Sequence, residues 1–196
     1  MRFFRYHAIG NDYIVLREAD LAAPLTPAQT RRICHRNFGV GSDGILLHLQ
    51  NADTDRFHLR IYNPDGSESE KSGNGLRIFS RYLHDRKLVG DAPFAVVTPG
   101  GTVHCRVSGD GRVVTVEMGA LTFDSARIPV AGPPREVLRE SFTIAGVALT
   151  YSCASIGNPH CVILRDALSD AETRTLGALI EVEPRFPNRT NVQFMR

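Results

Sequence analysis

The chain has 196 residues, 42% of them hydrophobic and 22% charged, and its 23 basic and 21 acidic side chains leave a formal net charge of +2. That balance fits a soluble globular protein of one large or two small domains and excludes a disordered chain. The charges are mixed with no polybasic run, no stretch reaches the roughly 18 apolar residues of a spanning helix, and the first residues lack the apolar core of a secretory signal, so nucleic acid and membrane are excluded and the cytoplasm is expected.

In chain order, apolar or alternating runs predict strands over 2–7 and 13–17. Thr26-Pro27, a cap followed by proline at the first helical position, opens a helix expected to reach about Arg36. Strands follow over 45–49 and 56–62. A second helix begins at Ser72 and is expected to run to about Lys87, with Gly90 ending it. Its Leu76, Ile78, Phe79, Tyr82 and Leu83 cover more than one face, which reads as a buried helix. Strands over 94–98, 102–107 and 113–118 complete the first series.

The proline-rich break Ala131-Gly132-Pro133-Pro134-Arg135 places a boundary near 119–135, dividing the chain into 1–118 and 119–196. Beyond it, strands are expected over 142–144, 147–153, 161–164 and 191–195. A third helix over 169–180, capped by Ser169 with Leu176, Leu179 and Ile180 on its apolar side, is a counterpart of the first. The fold class is α+β: strands wrapped round a buried helix, done once and begun again.

Cys34, Cys105, Cys153 and Cys161 are scattered without C-x-x-C spacing, which argues against zinc and against a disulfide framework and reads each as a small buried hydrophobe. Only Lys71 and Lys87 could carry a Schiff base. No phosphate-binding fingerprint follows a strand and no carboxylate–histidine cluster has ligand spacing, so neither cofactor nor metal is expected.

Chemistry is instead suggested by polar islands at strand ends: His7 to Asp12, Gly39 to Gly44, Asn63 to Ser67, Ser72 to Gly75 and Gly157 to His160. Each by itself reads as a turn; Asn63-Pro64-Asp65-Gly66 suits type I and Asp43-Gly44 suits a hairpin. Ser72 reads as an N-cap or as a reactive hydroxyl at a helix start, where free amides bind carboxylates.

Taken in order, Gly-Asn-Asp-Tyr, Asn-Pro-Asp-Gly-Ser, Gly-Asn-Gly before an arginine-bearing helix, and Gly-Asn-Pro-His-Cys resemble the diaminopimelate epimerase family, cofactor-independent amino-acid epimerases. The resemblance implies two pseudo-symmetric strand-rich barrels, each round a central helix. It also implies a small amino-acid substrate drawn from lysine and peptidoglycan precursor synthesis. Substrate contacts carry over to Asn11, Asn63, Gly73, Asn74, Asn158 and Asn191, and His160 matches a histidine that influences the pKa values of the catalytic pair. Some members dimerise, so a homodimer is among the implied assemblies.

The chain departs from that family pattern. Ser72 stands where the first catalytic cysteine belongs, and a serine hydroxyl is a far weaker acid than a thiol of pKa about 8.5. Gly44 stands where some members carry a substrate-contacting glutamine. Family members continue past Asn191-Val192-Gln193 into the portion bearing the second cysteine, so the second barrel is expected to be incomplete, with exposed apolar edges or a poorly ordered end. Alternative readings are a related amino-acid racemase or a hydroxyproline-type dehydratase, since a single base suffices for elimination, and a non-catalytic relative or fragment.

Overall fold

The computed structural model describes residues 2–50, 56–167 and 169–196, and its contacts divide the chain into two compact units, Met1–Met118 and Gly119–Arg196. In the first unit the strands are β1 (Phe4–Ala8), β2 (Asn11–Arg17), β3 (Ile45–Leu49), β4 (Arg56–Tyr62), β5 (Glu68–Ser69), β6 (Phe94–Thr98), β7 (Gly101–Ser108) and β8 (Val113–Glu117). They form one mixed sheet of order β1-β2-β3-β4-β6-β7-β8, with the short β5 beside β4. The helices are α1 (Pro27–Cys34) and α2 (Gly73–Asp85).

Helix α2 packs against β1 and β2 near one end of the sheet and against β7 and β8 at the other. One helix can touch both end strands only if the sheet curls round it, so the unit is a half-barrel on a central helix. Leu76, Ile78, Phe79, Tyr82 and Leu83 are all buried, packed against Tyr13, Val15, Leu46, Leu59, Ile61, Val96, Val103 and Cys105. The opposite face of the sheet holds a second cluster, in which Ile14, Leu16, Ile45, Leu47 and Tyr62 pack with Cys34 and Ile33 of α1. Strand alternation thus sends neighbouring residues of β2 and β3 to two different helices.

Helix ends follow local chemistry. Thr26 and Gln29 form a reciprocal capping box before Pro27. The helix then stops at Cys34, two residues before the expected Arg36, because the chain leaves helical geometry at His35, whose Nδ1 takes the Asn37 and Phe38 N–H groups. Helix α2 ends at Asp85, two residues before the expected Lys87 and without Gly90. Lys87 adopts a left-handed backbone with φ 57° and the Leu88 N–H returns to the Leu83 carbonyl at 2.9 Å, so a lysine closes the helix where glycine is usual.

The second unit has β9 (Glu140–Ile144), β10 (Val147–Ser155), β11 (Pro159–Leu164), α3 (Asp170–Glu181) and β12 (Asn191–Met195), in sheet order β12-β11-β10-β9. Leu176 and Ile180 of α3 pack with Tyr151, Cys153, Cys161 and Ile163 on one face; Leu179, expected on that side, is exposed. On the other face Leu164 and Met195 are 61% and 51% exposed, matching the expected apolar exposure. Among the described residues no central helix covers that face.

The two units repeat one connection. Strands β1 and β2 are antiparallel about Ile9-Gly10, and β2 crosses by α1 to the parallel β3; β10 and β11 are antiparallel about Ile156-Gly157-Asn158, and β11 crosses by α3 to the parallel β12. All four cysteines are buried and free, and no helix among the described residues is long and apolar enough to cross a membrane.

Candidate active site

In the first unit the site is built at the start of α2. Ser72 Oγ accepts the Gly75 N–H at 3.0 Å and its carbonyl accepts the Leu76 N–H at 2.8 Å, so the serine is a working N-cap. The Gly73 and Asn74 N–H groups, first in the helix, have no intrahelical acceptor and carry the positive end of the helix dipole. Gly75 also allows a close approach: a Cβ there would lie 3.1 Å from Leu46 Cδ2.

The β1–β2 turn brings Asn11 to the same place. Asn74 Nδ2 donates to Asn11 Oδ1 at 3.5 Å, and Asn11 Nδ2 donates to Asp43 Oδ2 at 3.1 Å. Asp43 also accepts the Asp12 backbone N–H at 3.0 Å and Arg36 Nη2 at 2.7 Å. Arg36 reaches Asp12 Oδ1 at 2.8 Å, and Arg5 holds Asp12 Oδ2 at 2.6 Å. Burial opposes the Asp12 charge, but the Arg36 and Arg5 hydrogen bonds outweigh it and bring the carboxyl down to about 2.

Asp43-Gly44 is not the hairpin expected of it. It precedes a strand parallel to β2, and Asp43 is spent on anchoring the turn residues Asn11 and Asp12. A Cβ on Gly44 would lie 2.6 Å from Tyr13 Cε1 and 2.6 Å from the Tyr62 carbonyl oxygen, so no glutamine fits with Tyr13 in this position. The Tyr13 ring passes over that glycine and sets its hydroxyl 3.5 Å from Ser72 Oγ. Asn63 stands in the expected turn, the Gly66 N–H returning to its carbonyl at 3.0 Å, and its side chain donates to Ser67 Oγ within that turn.

In the second unit His160, Asn158 and Asn191 come together at one end of β11 and β12. His160 Nε2 lies 3.1 Å from Asn158 Oδ1 and Nδ1 lies 3.3 Å from Gln193 Oε1; Asn191 Nδ2 donates to the Pro159 carbonyl at 2.9 Å. Cys153 and Cys161 are register partners on the far face of the same strands. The neighbouring Cys153 thiol and burial push the Cys161 thiol far above its ordinary value, and both side chains are fully buried in the core.

Sequence reasoning missed Asp43, Arg36, Tyr13, Gln193 and Arg77, whose Nη1 donates to Asn74 Oδ1. Asp43 and Arg77 lie within motifs whose local pattern indicates only a turn residue and a helix. The inward side of Tyr13 follows from period 2, but its proximity to Ser72 depends on how the sheet curls.

The family model for diaminopimelate epimerase matches residues 3–123. The chain is 54% identical over 196 residues to Diaminopimelate epimerase 2 of Nostoc sp. (strain PCC 7120 / SAG 25.82 / UTEX 2576), covering 100% of this chain and 69% of that protein. It is 39% identical over 200 residues to the diaminopimelate epimerase of Moorella thermoacetica, covering 100% and 71%. Among solved structures, a probable proline racemase from Agrobacterium radiobacter K84 aligns with TM-score 0.66 at 15% identity, over 98% of this chain and 65% of that one. A hydroxyproline epimerase from Agrobacterium vitis aligns with TM-score 0.65 at 15% identity, over 97% and 62%.

The half-barrel on a central helix is therefore the fold of racemase and epimerase structures. The chain belongs to the diaminopimelate epimerase family of isomerases. It spans 69% and 71% of the length of the two curated relatives, and less than two thirds of either racemase-type structure.

Proposed function

We propose that this chain binds diaminopimelate at the start of α2 and belongs to the reaction that interconverts its L,L and meso forms, by removal of the α-proton and return of a proton to the opposite face. The observation that carries the reading is the contact of Asn74 with Asn11 at the start of α2, where the first helical N–H groups have no intrahelical acceptor, beside the cap Ser72. Loss of the α-proton leaves a carbanion whose charge spreads into the α-carboxylate. Preorganised N–H donors at a helix N-terminus stabilise that charge. Asn63, Asn158 and Asn191 are assigned as further substrate contacts and His160 as a group that tunes the proton-transfer residues, on the strength of the family motifs.

Inversion needs two groups, one taking a proton while the other gives one. Ser72 occupies the first of these positions. Its hydroxyl is engaged as a cap, and neither its acidity nor its nucleophilicity matches a thiol, so exchange through position 72 is weak in this chain. The implied setting is lysine and peptidoglycan precursor synthesis in the cytoplasm, with the protein working as a homodimer.

The test is deuterium uptake at the α-carbon of L,L-diaminopimelate in heavy water, comparing the chain with Ser72→Cys. Uptake only in the variant, or much faster in the variant, is the expected result. Equal uptake in both would place the working base elsewhere, and none in either would remove the reading.

A further inference from the structure

Two side chains outside the candidate contacts decide which way those contacts point. Arg77, one turn into α2, donates from Nη1 to Asn74 Oδ1 at 2.9 Å. At the other end of the same chain of bonds, Asp43 accepts from Asn11 Nδ2 at 3.1 Å. A guanidinium can only donate and a carboxylate can only accept. Between them lie two amides, each with one accepting and one donating end, joined by the 3.5 Å contact from Asn74 Nδ2 to Asn11 Oδ1.

The order Arg77, Asn74, Asn11, Asp43 satisfies every polar end in only one sense. Turning the Asn11 amide round would set its oxygen against the Asp43 carboxylate and its NH2 group against that of Asn74. Turning Asn74 would set its NH2 group against the Arg77 guanidinium. Asp43 is in turn held by Arg36 and by the Asp12 backbone N–H, so its end of the chain is itself anchored.

We infer that Arg77 and Asp43 are positioning residues that orient the Asn74 and Asn11 amides for recognition of a carboxylate. Each NH2 group uses one hydrogen within the chain and keeps one for a ligand. Those two hydrogens add to the Gly73 and Asn74 backbone N–H groups, so the site presents donors to an anion. The inference rests on the proposed function for the identity of the ligand, but the orientation itself exists without one.

The test therefore has a ligand-free arm and a ligand arm, both on the full chain with urea midpoints as a check on folding. In the first, side-chain amide resonances of Asn11 and Asn74 are compared by 15N NMR in the wild type, Asp43→Asn and Arg77→Met. Expected is that each variant shifts both amides; shifts confined to the nearer amide would overturn the inference, whatever the protein binds. In the second arm, L,L-diaminopimelate is titrated. Asp43→Asn is expected to weaken binding about tenfold, the size of one charge-assisted hydrogen bond, yet less than about twofold when Asn11 is already alanine. Independent, multiplying losses would overturn it. A wild type that binds no diaminopimelate would overturn the proposed function, with the first arm still deciding the orientation.

Discussion

Ser72 caps α2 through its hydroxyl and is the proposed proton-handling position, and the two roles respond differently to substitution. Ser72→Ala removes the acceptor of the Gly75 N–H and is expected to lower stability by about 1 kcal/mol, read from the urea midpoint. Ser72→Cys weakens the cap less than it changes the chemistry. A thiol at a helix N-terminus ionises near neutrality, so α-proton exchange in this variant is expected to rise with pH as the thiolate forms. Asp12 supplies a separate pH dependence. Its carboxyl is held at about 2 by Arg36 and Arg5, below its unfolded value, so the stabilisation is fully present above about pH 4 and is lost as pH falls toward 2. With both arginines partly exposed, the contribution is on the order of 1–2 kcal/mol. Asp12→Asn should therefore shift the urea midpoint at pH 7 and leave it nearly unchanged near pH 2.

Helix α2 and strand β2 are the elements on which the site depends. The helix is the inner wall of the half-barrel, and Phe79 is fully buried among His48 and Tyr82. Phe79→Ala is expected to cost about 3–5 kcal/mol, measured by equilibrium denaturation, with loss of ligand binding following from movement of the helix start. At the strand end, Gly44→Ala places a Cβ against the Tyr13 ring and the Tyr62 carbonyl. Overpacking of this kind costs about 1–3 kcal/mol, and pairing it with Tyr13→Ala should recover part of that loss because the ring contact is gone. Most of these elements were legible in the chain: strands 45–49, 56–62, 94–98 and 191–195 coincide with those observed, since alternation and β-branched content report strand character locally. The two-residue β5 and the early end of α1 were not legible, because one depends on pairing with β4 and the other on the fold of the His35 turn.

At the scale of the molecule, each compact unit has its own core, but the two are unequally covered. The first buries the inner face of its sheet against α2 and the outer face of β2 and β3 against α1, whereas the second covers one face with α3 and leaves Leu164 and Met195 exposed on the other. Amide hydrogen exchange is therefore expected to show greater protection in β3, β4 and β6 than in β11 and β12. Uniform protection across both sheets would contradict this. Leu164→Thr, which removes exposed apolar surface without touching the α3 face, should reduce concentration-dependent association in sedimentation and leave stability within about 0.5 kcal/mol.

The sequence by itself determined the family, the buried central helix and the motifs that contain Asn11, Ser72, Asn74, Asn158 and His160, because caps, turn residues and hydrophobic periods are local properties that a chain carries wherever it folds. Only the tertiary structure decided how those polar residues are used. Asp43 became an anchor and not a hairpin residue, Tyr13 came to rest beside Ser72 because Gly44 leaves room for its ring, and Arg77 and Asp43 acquired control over two amides between them. Apart from the local contact of Arg77 with Asn74, these depend on residues that strand pairing and the curling of the sheet round α2 bring together, 31 positions apart for Asp12–Asp43 and 63 for Asn11–Asn74. No local pattern specifies a distance of that kind.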